Sequence, residues 1–107
     1  MFSIEHKYNL INSRKDFSIY KCEECQSFFV VLNNVILTLA LEEITELNNT
    51  LKSLWEENRK LPDSKFLVQV SNFEKARIFL SHSEMKTLLI LLKESLILLE
   101  VKKLISN

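Results

Sequence analysis

The chain contains no glycine and only one proline. Without glycine there is no Gly-rich phosphate loop, so nucleotide binding of the Walker or Rossmann kind is excluded in its usual form. Tight turns must also be made by residues that carry a Cβ. Nine asparagines are present, and Asn tolerates left-handed backbone better than most such residues. Charge of one sign is lacking as well: 14 basic residues balance 14 acidic ones. The pairs Arg14-Lys15, Arg59-Lys60 and Lys102-Lys103 are scattered. Binding nucleic acid needs a concentrated positive field to displace counterions, so no nucleic-acid partner is expected. There is no long hydrophobic run. The most apolar stretch, Leu88 to Leu99, is broken by Lys93-Glu94, and no membrane partner is expected. Met1 to Lys7 lacks a basic segment followed by an apolar one, so no signal peptide is expected. The expected compartment is the cytoplasm, where the two cysteines stay reduced.

What remains is a hydrophobic fraction of 47% in 107 residues, enough for one domain with a real core. Residues 1–21 read as irregular or extended: Phe2, Ile4, His6 and Tyr8 alternate with polar neighbours, and Asn12 to Asp16 signals a loop. Phe17 to Lys21 is a short strand candidate. Ser27–Leu32 and Val35–Leu39 flank Asn33-Asn34 as a two-residue hairpin. That loop pairs Leu32 with Val35, Val30 with Leu37 and Phe28 with Leu39 on one apolar face. Leu41, Ile44, Leu47, Leu51, Leu54 and Trp55 recur at helical spacing, which predicts a helix from Leu41 to Asn58. Leu61 to Ser64 is a connector. A second hairpin, Phe66–Val70 and Ala76–Leu80 about a turn at Ser71–Lys75, precedes a helix from about His82 to Ile105. Ser81 and Glu84 form a capping box at its start.

These elements predict an α+β fold: an antiparallel sheet from two ββα units, with the helices packed on one side. The domain layout is an N-terminal extended segment with the C-x-x-C turn over residues 1–25, a first unit over 26–58 and a second over 65–106. The units align as an internal repeat when Leu39 is placed over Leu80. Ala40 then matches Ser81, and Glu43 matches Glu84.

Few residues carry chemical potential. Cys22-Glu23-Glu24-Cys25 can offer two thiolates to a metal such as zinc, or form a reversible disulfide. A structural zinc site needs four ligands, and a second C-x-x-C is absent. His6 and His82, the only histidines, have no other ligand at metal spacing. The bland alternative is a pair of inert cysteines at the entry to a strand. A thioredoxin-like site would place the motif at a helix N-terminus, whereas here it precedes a strand. Ser81-His82-Ser83 is accounted for by capping. Glu42, Glu43 and Glu46 suit the first turns of a helix. Trp55, Phe66 and Phe79 are candidates to line a pocket, but their types suit a core. No catalytic residue is assigned.

The C-x-x-C turn, the strand after it, Asn33-Asn34-Val35 and the helix opening Glu42-Glu43-Ile44 resemble a small bacterial family of unknown function. Ile78-Phe79-Leu80 and the Leu-rich helix Ser81 to Leu92 resemble it too. The likeness spans roughly residues 17 to 100. Ahead of the first cysteine, where members often carry Gly or His, this chain has Ser18-Ile19-Tyr20. The resemblance implies a compact bacterial α+β domain and supplies no activity.

The final helix carries the strongest functional signal. Met85, Leu88, Leu92, Leu96 and Leu99 form a stripe that can cover the sheet. Ile90, Ile97, Val101 and Leu104 form a second apolar stripe. A helix that is apolar all round must be buried on more than one side. A second copy of the chain is the expected cover, making a homodimer of a non-enzymatic interaction domain. Folding of residues 1–16 over the stripe is the competing explanation. A metal-binding module organised by Cys22 and Cys25, or a thiol redox protein, are the alternatives in function.

Overall fold

A computed structural model describes residues 7–33, 35–58, 65–70 and 76–106. Among them run six strands and two helices: β1 (Tyr8–Arg14), β2 (Phe17–Cys22), β3 (Phe28–Leu32), β4 (Val35–Leu39), α1 (Leu41–Asn58), β5 (Lys65–Val70), β6 (Ala76–Ser81) and α2 (His82–Ser106). The fold is α+β with antiparallel strand pairing throughout.

The strands divide differently from expectation. The two hairpins do not join into one sheet. β1 to β4 form a four-stranded meander, and β5–β6 is a separate two-stranded sheet. The first hairpin extends with the strands that precede it in sequence. Alternation of apolar residues marks a strand but does not name its neighbour. The described part of the segment expected to be irregular or extended forms the β1–β2 hairpin, with β2 at the strand expected over Phe17–Lys21, and the loop expected over Asn12–Asp16 shrinks to Lys15 and Asp16. A register shift between Leu10 and Asn12 interrupts β1, and this bulge turns Asn12 and Arg14 toward the helices. Phe2, Ile4 and His6 lie outside the described residues, as do the connector at 61–64 and the turn at 71–75.

One face of the meander is buried. Phe17, Ile19, Phe28, Val30, Leu32, Leu37 and Leu39 point inward and join Ile44, Leu47 and Leu51 of α1 in a single cluster. Met85, Leu88, Leu91 and Leu92 of α2, with Val68, Val70, Ile78 and Leu80 of the second hairpin, complete it. The β3–β4 register is the one expected, with Leu32 opposite Val35, Val30 opposite Leu37 and Phe28 opposite Leu39. Val35 shares that face but sits exposed at the hairpin tip.

The helices are antiparallel neighbours. Trp55 near the end of α1 packs on His82 at the start of α2, with ring centroids 4.4 Å apart. At the other end, Leu41 and Glu42 share a cleft with Leu99 and Lys102. Both helices begin with a Glu that reaches back to the capping residue: Ala40 N–H donates to Glu43 Oε1 at 2.9 Å, and Ser81 N–H to Glu84 Oε1 at 2.9 Å. Glu94 of α2 ties down β1, accepting from Asn12 Nδ2 at 3.3 Å and pairing with Arg14 Nε at 3.5 Å.

Candidate functional site

The C-x-x-C segment links β2 to β3. Its geometry follows from where β2 ends. Cys22 N–H donates to Ser27 O at 3.1 Å and closes the turn, while Glu23 N–H donates to Lys7 O at 2.9 Å and extends the β1 ladder. Asn9 Nδ2 holds the Glu23 carboxylate at 2.7 Å. Within this frame Cys25 N–H donates to Cys22 Sγ at 3.1 Å. The Glu24 backbone and the Cys25 thiol also act on the ionisation of this sulfur. Both cysteines are thiols, not a disulfide.

Cys22 pairs with Tyr8 on the outer face of the meander, away from the helices. It has no solvent-accessible surface, whereas Cys25 is half-buried. Burial pushes the Cys22 thiol above its ordinary value, and the Cys25 hydrogen bond adds to this; the two backbone amides pull the other way. The Tyr8 hydroxyl is also raised, by burial first and then by Cys22, Cys25 and Glu24. The Tyr8 ring rests against Phe29, with centroids 4.4 Å apart.

His82 does not join the cysteines. It opens α2, whereas the C-x-x-C turn adjoins the last turns of that helix. Lys21 and Gln26 share a cleft of about 520 Å³ with Leu99, Lys102 and Lys103. From His82 to Leu99 is about 25 Å along a helix axis. His6 lies outside the described residues. Among the described residues, no group of three or more His, Cys, Asp and Glu could hold a metal ion. Ser81 Oγ accepts from Glu84 N–H at 3.1 Å, so the capping role is its observed one. Trp55 and Phe66 pack on the core, while Phe79 is exposed beside its cross-strand partner Leu67.

The second feature is the outer side of α2. Met85, Leu88 and Leu92 of the inner stripe are fully buried, with Leu96 and Leu99 packed partly beside them. Leu91 is buried too. On the outer side Ile97, Leu98, Val101 and Leu104 are 45% to 69% exposed, and Ile90 is half-buried. The competing cover is partly in place, because β1 lies against α2 through Glu94. Leu10 and Ile11 also frame a shallow cleft of about 310 Å³ with Leu98, Leu99 and Val101. Among the described residues, this contact leaves Ile97, Leu98, Val101 and Leu104 exposed.

Leu98 and Leu10 belong to this patch and were not singled out in the sequence. Leu98 sits three residues before Val101, a spacing that could have found it. Leu10 could not be placed without knowing that β1 is a strand. No family model, curated protein or solved structure matches the chain. None of the described helices is long and apolar enough to cross a membrane.

Proposed function

We propose that this domain is a non-enzymatic interaction module that works as a homodimer through the outer stripe of α2. The supporting observation is the run of exposed Ile97, Leu98, Val101 and Leu104, continuous with Leu10 of β1. Isolated exposed apolar residues are ordinary, but a contiguous set marks an interaction site. A second copy suits the spacing. Ile90, Ile97 and Leu104 are seven residues apart. A two-fold axis through Ile97 therefore sets Ile90 of one copy against Leu104 of the other, the self-complementarity that a two-fold interface requires. The balanced charge favours a protein partner over nucleic acid or a membrane surface. The reduced thiols suit a cytoplasmic setting.

Sedimentation equilibrium tests this. Wild type should sediment as a dimer. The double variant Ile97→Glu, Val101→Glu should be a monomer with an unchanged circular dichroism spectrum. A wild type that stays monomeric at high concentration overturns the proposal.

A further inference from the structure

We propose that Cys22 and Cys25 form a complete two-coordinate site for a soft monovalent cation, copper(I). The case begins with ligand count. The chain has two cysteines, and the described residues bring no third donor to them. Two thiolates are half of a tetrahedral zinc site. They are a full set for copper(I), which soft thiolates select and which is satisfied by two of them in a near-linear arrangement.

The turn is built around one sulfur. The Cys25 main-chain N–H donates to Cys22 Sγ at 3.1 Å, and the Glu24 backbone acts on the same sulfur to favour its charged form. A neutral thiol is a weak acceptor. Converging backbone amides stabilise negative charge, as they do in anion-binding nests. The Cys25 thiol is near enough to act on the ionisation of Cys22, and the 3.1 Å bond from its own N–H holds the two residues together, so little movement brings both sulfurs onto one ion. Cys25 is partly accessible and Cys22 is not. A cation therefore meets Cys25 first and Cys22 after it. Water is kept from the inner ligand.

Binding converts two thiols and one copper(I) ion into a bis-thiolate complex of net charge −1 and releases two protons. Glu23 and Glu24 lie between the two ligands, and Lys21 precedes them. This site is separate from the outer stripe of α2 and does not depend on dimerisation.

The test is an anaerobic competition between the protein and bathocuproine disulfonate for copper(I), run across a pH series. One ion per chain should bind. Affinity should fall about 100-fold for each pH unit lowered, because two protons are displaced. Cys25→Ser changes a partly exposed side chain and leaves Cys22 in place. It should remain folded and lose this binding, as should Cys22→Ser. The inference is overturned if copper stays wholly with the competitor, or if the stoichiometry differs from one per chain. It is equally overturned by a ten-fold rather than hundred-fold pH dependence, or by a Cys25→Ser variant that binds as tightly as wild type.

Discussion

Lys15 and Asn33 adopt left-handed backbone, at φ 56° and 53°. Each is the first residue of a hairpin loop. Asn accepts that conformation through its short polar side chain, but Lys has no such compensation. In the β1–β2 loop only Lys15, and not Asp16, has positive φ, the pattern of a turn that prefers Gly at its first position. Lys15→Gly removes a steric cost of about 1–2 kcal/mol and adds back about 0.4–1 kcal/mol of unfolded-chain entropy. A net gain of about 0.5–1 kcal/mol should appear in urea unfolding. Ser95 offers a second such site. It is 1% exposed on α2, and its Oγ has no hydrogen-bond partner. An orphaned buried hydroxyl costs about 1–3 kcal/mol, so Ser95→Ala should leave stability equal or raise it by about 1 kcal/mol in the same assay. Cys22 sets a pH dependence. Its thiol is raised above the ordinary 9.0 in the folded state, so the folded protein holds that proton more tightly than the unfolded chain does. The resulting stability is complete below the unfolded value and is lost as pH rises through the folded one. Thermal melts above pH 9 should therefore show a fall that Cys22→Ala diminishes, with the remaining slope shared by Tyr8. At this scale Asn33 was legible as a turn residue, because Asn between two apolar runs has a mechanism. Lys15 was not, since nothing in a polar stretch singles out a lysine for positive φ.

The helix starts show what an element owes to its first residues. α2 has the full reciprocal box, with Ser81 Oγ accepting from Glu84 N–H and Glu84 reaching back to Ser81 N–H. α1 has half of it: Glu43 reaches back to Ala40, whose methyl group can accept nothing. Ala40→Ser should complete the box and stabilise by about 0.5–2 kcal/mol, and Ser81→Ala should cost a similar amount. Denaturant midpoints at constant m-value would measure both. A neutral Ala40→Ser would mean that serine cannot reach the Glu43 amide. Both helices were legible nearly to the residue, because capping residues and a 3.6-residue period converge on the same boundaries. The β3–β4 register was legible because a two-residue loop leaves only one pairing. β1 was not. Its bulge leaves Ile11 without a cross-strand partner, next to Leu10, and breaks the alternation on which a strand is recognised. Most of its residues are also exposed, so burial imposes little pattern.

The whole molecule holds its core between the inner face of the meander, the two helices and the second hairpin. Cys22 is buried outside that cluster, on the opposite face of the sheet. The double variant Cys22→Ser, Cys25→Ser should therefore unfold in one cooperative step, followed by circular dichroism with heating. Loss of cooperativity would show that the turn supports the core. The fold class was legible from the order of elements, whereas the division into two sheets was not. Alternation marks which residues share a face and carries no record of which strand lies beside which. The apolar outer stripe of α2 was legible from periodicity, and the contact with β1 became visible only in three dimensions.

Among the described residues every strand pairing joins neighbours in sequence: β1–β2, β2–β3, β3–β4 and β5–β6. Such short-range pairing lowers contact order and favours rapid folding. Yet α2, which follows all the strands, is the element that packs on β1, β2, α1 and β6 alike. During synthesis the meander can pair as it emerges, with Ile19, Val30 and Leu37 still facing water. The last helix then closes the core, and its arrival sets how long that apolar face stays open to misassembly.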